Sequence, residues 1–211
     1  MDVTNLHRQI GHKTETVGIS KTLSLKNTLL SLNPNIKVNE HPFITAANAN
    51  LLNEYDIVVD GSDNPTCRYI VNDQCMKTNK KLLSGACIGW EAQITCYGGN
   101  GPCYRCLWGN DQINLGGCST LGVVGMLPGL VGIILATETL KMILNKESSL
   151  DGKLLTYEGR KCEFKKIQLR KKQPDCIGCG INKLDMSTYN YAKYGLCSST
   201  AVPEVPEITW Q

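Results

Sequence analysis

Residues 55–65 read Tyr55-Asp56-Ile57-Val58-Val59-Asp60-Gly61-Ser62-Asp63-Asn64-Pro65. A nearly continuous apolar run closed by an acidic residue is the pattern of a strand buried on both faces of a parallel sheet. The turn residues behind it stop the strand and open a helix over 66–78. A further strand over 81–84 gives the strand–helix–strand alternation of an α/β fold.

On the N-terminal side, leucines at 23, 25, 29, 30 and 32, interspersed with Lys21 and Lys26, predict a helix over 16–31 that Asn33-Pro34 ends. A short strand over 35–39 and a short helix over 48–53 follow. On the C-terminal side come a strand over 92–97, the turn Gly98-Gly99-Asn100-Gly101-Pro102 and a long loop over 107–119. A helical region over 123–144, broken near Pro128, precedes strands over 153–157 and 164–170. Alternation followed by a more antiparallel end predicts a doubly wound α/β domain over 1–180. Beyond Gly180 the composition turns polar and rich in Ser, Thr and Pro, so 181–211 is expected to be a linker or tail.

The 211 residues are 42% hydrophobic and 19% charged, the balance of a globular protein with a substantial core. A net charge of +3 gives no reason to expect nucleic acid or an anionic membrane as the main partner. The first residues carry no apolar stretch of a secretory signal. The longest apolar run, 121–136, is broken by four glycines and Pro128 and is shorter than the roughly 20 residues of a bilayer span, so it is expected to be buried in protein. Eleven cysteines without a signal point to the reducing cytoplasm, where clustered cysteines mean metal or catalysis. Cys67, Cys75, Cys87, Cys96, Cys118, Cys162 and Cys197 stand outside any close pair, and each alone reads as a small buried hydrophobe.

Cys103-Tyr104-Arg105-Cys106 and Cys176-Ile177-Gly178-Cys179 are two Cys-x-x-Cys pairs separated by 69 residues, each in a turn. A two-residue spacer turns both thiolates toward one ion, and two such knuckles supply the four ligands of structural zinc. With every position a thiolate, no site is left open for water, so the metal would staple two distant segments and take no part in catalysis. Two unrelated cysteine turns, or a redox pair, are the alternative.

Near the N-terminus, Asp2 to Gln9 read Asp-Val-Thr-Asn-Leu-His-Arg-Gln, and Lys21 lies thirteen residues past Arg8. Asp63 and Asn64 follow the carboxyl end of the buried strand, where open α/β sheets place their ligands. Two cations that could meet a triphosphate and a carboxylate that could hold Mg2+ form a plausible nucleotide site. From spacing alone, Arg8 and Lys21 read equally well as solvated surface charges.

Taken together, TNLHRQ with TVGISK, VVDGSDNPTCRY, GPCYRC, GGCSTLGVVGMLPGLVG, ATETLKMIL and CIGCG occur here in one order, and over residues 2–180 that order resembles the MoeB/ThiF-like adenylyltransferases. These ubiquitin-activating-enzyme-like proteins act on sulfur carriers. Cys118, and the segment from Tyr189 to Cys197, resemble the eukaryotic adenylyltransferase–sulfurtransferase branch that serves tRNA thiolation and molybdenum cofactor synthesis. The resemblance implies that Thr4, Asn5, Leu6, His7, Arg8, Lys21, Asp63 and Asn64 bind ATP, with Asp63 holding Mg2+. It also implies that Arg8 and Asp63 serve catalysis and that Cys103, Cys106, Cys176 and Cys179 hold Zn2+. Cys118 would then accept the carrier's C-terminus as a thioester or join a persulfide exchange. The implied partners are a ubiquitin-like sulfur-carrier protein and a second copy of the chain, with no direct contact to nucleic acid or membrane.

The family pattern opens with a strand, a Gly-x-Gly-x-x-Gly turn, a helix and a second strand ending in an acidic residue, and these 211 residues contain no such unit. Its backbone N–H groups are the main cradle for phosphates, and its strands would cover one edge of the sheet. The expected fold is therefore an N-terminally truncated ThiF-type sheet. The alternative function is a zinc-stapled scaffold that binds a carrier protein or dimerises.

Overall fold

The computed structural model describes residues 1–110 and 122–194. Its centre is one five-stranded sheet: β1 (Val58–Asp60), β2 (Leu82–Ile88), β3 (Glu91–Tyr97), β4 (Lys153–Glu158) and β5 (Glu163–Gln168), hydrogen-bonded in that order. β1 and β2 run parallel and are joined through α2 (Pro65–Lys77); every later pair is antiparallel. The sheet is thus mixed, an α/β unit followed by the expected antiparallel part, with β1 and β2 the one parallel pair among the described residues. One strand–helix–strand unit leads into a meander, because β2 turns back into β3 through Gly89, at φ 55°, and no crossover intervenes.

Helices cover both faces. Alternation along the strands sends Leu82 and Tyr97 to one face, where α2 contributes Tyr69, Ile70, Val71, Cys75 and Met76. Leu83, Ala92, Ile94 and Cys96 point to the other, against Val131 and Leu135 of α4 (Met126–Ile143). α4 approaches so closely that a Cβ on Gly85 would overlap Val131 Cγ1 and lie 2.8 Å from Leu135 Cδ1. Only glycine fits there. Buried Glu138 of α4 fixes the next connection, accepting from Ser148 Oγ at 2.7 Å and from the Ser149 backbone at 2.8 Å.

α1 (Lys21–Leu32) starts later than the leucine pattern suggests. Residues Thr14–Thr16 form a 3-10 turn, Gly18 sits at φ 89°, and Ser20 caps the helix by accepting from Leu23 N. Residues 35–39 form no strand: two apolar side chains in five residues find no ladder partner. The short helix expected at 48–53 is the 3-10 helix Ala49–Glu54. β1 is three residues long, with Val58 and Asp60 buried and Val59 48% exposed. It is an edge strand among the described residues and not one buried on both faces. α4 is continuous, since Pro128 falls in its first turn, where a missing N–H costs nothing.

At 18 residues and a mean hydropathy of 1.5, α4 is long and apolar enough to cross a bilayer by length and composition. One side docks on the sheet, while Ile133, Leu140 and Ile143 are exposed. Past Gly180 the chain continues to pack. Met186, Tyr191 and Tyr194 are buried in the same cluster as α2, the last two within the 3-10 helix Tyr191–Tyr194.

Candidate metal centre and nucleotide site

The two cysteine pairs, far apart in sequence, meet in space. Cys103 caps and Cys106 lies within the short helix α3 (Tyr104–Trp108), while Cys176 and Cys179 occupy a turn after β5. The sulfurs of Cys103 and Cys106 are 3.9 Å apart, those of Cys103 and Cys176 3.6 Å, and those of Cys106 and Cys179 3.4 Å. All four lie within 4.8 Å of one another, and all four residues are buried. Four thiolates around zinc at bonds of about 2.3 Å define a tetrahedron with edges of about 3.8 Å. The donor set and spacing fit that ion. Hydrogen bonding between neighbouring sulfurs pushes the Cys103 thiol up and pulls the Cys106 thiol down.

Behind the sulfurs lies a buried ion pair between the knuckle spacer and α2. Arg105 Nε and Nη2 each donate at 2.7 Å to Asp73 Oδ1 and Oδ2. Asp73 also accepts from Tyr191 Oη at 2.8 Å and from Asn72 Nδ2 at 3.0 Å. Arg105 Nη1 donates to Tyr194 Oη at 2.8 Å and Tyr189 Oη at 3.2 Å, and the guanidinium lies 4.7 Å from the Tyr69 and Tyr189 ring centres. A Cβ on Gly178 would come 2.9 Å from Arg105 Cδ, so the second knuckle closes over this side chain only as glycine. None of these partners figured among the expected site residues. The paired tyrosines of 189–194 are their only trace in the sequence.

The expected nucleotide residues fall in two places. Thr4, Asn5, His7 and Arg8 form one cluster: Arg8 Nη1 donates to Thr4 O at 3.1 Å and contacts His7 Nε2 at 2.6 Å, and Nη2 donates to Asn5 Oδ1 at 2.8 Å. Leu6 closes the 3-10 turn beneath them, its N–H donating to Val3 O. This segment abuts the start of α4, where a Cβ on Gly125 would lie 2.8 Å from His7 O. Val123 in turn bridges to Gly89 behind β2. Asp63 and Asn64 follow β1, so the two groups are carried toward one end of the parallel pair.

Lys21 opens α1, exposed, and Asn64 caps α2 by accepting from Cys67 N at 3.3 Å. Among the described residues none of the five ion pairs involves Arg8, Lys21 or Asp63. Two buried oxygens without a hydrogen-bond partner by distance and angle, Gln9 Oε1 and Ser62 Oγ, belong to the residues next in sequence to Arg8 and Asp63, and Ser62 also lies against the Cys67 thiol. Buried polar atoms are nearly always satisfied, so both fit a site completed by ligand. Cys118 lies outside the described residues. Burial pushes the unpaired thiols Cys75 and Cys96 up to about 12 and about 11, as inert core residues.

An α/β fold with a mixed sheet and a buried four-cysteine cluster is the class defined here, and the chain belongs to the ThiF family, whose profile matches residues 1–178. The adenylyltransferase and sulfurtransferase MOCS3 of Dictyostelium discoideum is 42% identical over 200 residues, covering 92% of this chain and 47% of that protein. Its namesake from Culex quinquefasciatus is 39% identical over 206 residues, covering 95% and 47%. The chain thus spans about half the length of the curated relatives it matches. Among solved structures, E. coli MccB with ATP superposes with a TM-score of 0.69 at 22% identity, over 85% of this chain and 56% of that one, a likeness of fold.

Proposed function

We propose that the chain is the core of an enzyme that adenylylates the C-terminal glycine of a ubiquitin-like sulfur-carrier protein. The carrier carboxylate attacks the α-phosphorus of ATP, the bond to pyrophosphate breaks, and an acyl-adenylate forms. Charge builds on phosphoryl oxygens, so catalysis is positioning and electrostatics. Arg8 and Lys21 supply the positive charge, with Thr4, Asn5, Leu6 and His7 holding Arg8's segment. Asp63, supported by Asn64, binds Mg2+, which shields the phosphates. The Cys118 thiolate then attacks the acyl carbon, releasing AMP and leaving a thioester, or takes part in a persulfide exchange. Zn2+ on Cys103, Cys106, Cys176 and Cys179 braces the scaffold.

The observation that carries this reading is the ThiF match across residues 1–178, with relatives named as adenylyltransferases and sulfurtransferases. The word sulfurtransferase in those names agrees with a role in sulfur transfer; tRNA thiolation or molybdenum cofactor synthesis as the pathway is part of the proposal and rests on the sequence resemblance. A cytoplasmic location is part of the proposal, on the two Cys-x-x-Cys pairs, which a reducing compartment keeps as thiols. Self-association is assigned to the exposed apolar side of α4. ATP–pyrophosphate exchange that depends on a Gly-ended carrier is the test: Asp63→Ala should abolish it, and exchange that persists in that variant overturns the assignment. A zinc-stapled carrier-binding scaffold is the second reading. It is favoured by the lack of a Gly-x-Gly-x-x-Gly turn in these residues, and it predicts carrier binding without exchange.

A further inference from the structure

Beside the metal centre, away from the nucleotide residues, lies a cavity of about 240 Å³. That is many times the roughly 10–15 Å³ that one water needs. It opens between the C-terminal end of α2, the turn after β3 and the second cysteine knuckle. Lys80, Lys172 and Lys183 line it, and no carboxylate does. Gly99 and Asn100 line it too, and their backbone N–H groups make no hydrogen bond among the described residues, although the neighbouring Gly98 and Gly101 N–H groups are used within the turn.

The lysines are not equivalent. Lys80 donates to the backbone oxygens of Leu52, Asn53 and Tyr55, so it brings charge but no spare donor. Lys183 donates to Met76 O at 2.5 Å and keeps two protons. Lys172 is exposed and belongs to none of the five ion pairs. Asp151, whose Oδ2 would lie 4.0 Å from a Cβ on Gly99, is already held by Lys81 at 2.6 Å. A tetrathiolate zinc centre carries a formal charge of −2, and three lysines exceed it.

We infer that this cavity is a binding site for a phosphate-class oxyanion, taken up by Lys172 and Lys183 and by the free N–H groups of Gly99 and Asn100. Fixed backbone donors beside cations are the general solution for holding phosphate. The chemistry is the same for a free anion and for the phosphodiester of a polyanion.

The test is calorimetric titration of the zinc-loaded 211-residue protein with inorganic pyrophosphate at low salt. A Lys21→Ala background removes the proposed nucleotide end from the reading. The expected result is saturable one-site binding that Lys172→Glu weakens by about tenfold or more, at unchanged zinc content. Binding that Lys172→Glu leaves intact, or no binding in the Lys21→Ala background, overturns the inference. Competition by an RNA hairpin would identify a phosphodiester as the source, and failure to compete a free anion; either supports the site.

Discussion

Arg105 and Asp73 meet through two parallel 2.7 Å hydrogen bonds with their side chains 0% and 2% exposed. The pair joins the first cysteine knuckle to α2, and Tyr191 and Tyr194 join the same two groups from the far end of the chain. Removing one partner leaves an uncompensated buried charge, which costs roughly 3–5 kcal/mol. Asp73→Ala should therefore lower the urea midpoint strongly. Arg105→Lys should recover little, because a lysine makes neither the two-point contact nor the same ring stacking.

The tyrosines supply an independent check of that network. Tyr191→Phe leaves its packing in place but takes a hydroxyl from Asp73, and should cost about 1–3 kcal/mol. Ending the chain at residue 183 removes Met186, Tyr191 and Tyr194 together. That protein should lose solubility or melt far earlier in a thermal scan.

Zinc content tests the tetrathiolate. The intact protein should carry one ion per chain by elemental analysis, and Cys103→Ser or Cys176→Ser should abolish stoichiometric binding. Chelation should cost several kcal/mol, seen as a falling denaturation midpoint, because structural metal binding is folding free energy.

Gly85 makes a prediction about packing alone. Gly85→Ala puts a methyl against Val131 and Leu135 and should destabilise by about 1–3 kcal/mol. Val131→Ala should relieve part of that penalty in the double variant, giving a coupling of opposite sign to the single effects.

Glu138 should give acid sensitivity. Burial raises its pKa, but hydrogen bonds from Lys141, Ser148 and the Ser149 backbone outweigh it, so its folded pKa lies below the ordinary glutamate value. A depressed carboxylate stabilises above its unfolded pKa and loses that contribution as pH falls through its folded value. Glu138→Gln should thus be less stable than the parent at pH 7, with the gap closing below about pH 4.5. Comparing the two proteins at each pH cancels the effect of losing metal to acid.

What could be read in advance follows the range of the interactions. The α2 and β2 segments were legible because a local apolar pattern and an Asn64-Pro65 helix start specify them without help. The metal cluster was legible because each knuckle is a four-residue unit. β1 differs from the expectation because burial on both faces needs elements packed all round the strand, and among the described residues β1 has a neighbour strand, β2, on one side alone. The same dependence removed the strand at 35–39. Arg105 and Asp73 stood 32 positions apart with no periodicity to betray them, so their pairing emerges only in three dimensions. The placement of Lys21 and Asp63 relative to Arg8 rests on family likeness, since no direct contact joins them.

The tyrosine clasp resets the origin of the C-terminal segment. Tyr194 lies fourteen positions past Gly180, and an extended chain gains at most about 3.3–3.6 Å per residue. Tyr194 is held beside the knuckle, where a fully extended segment from Gly180 could carry it about 50 Å away.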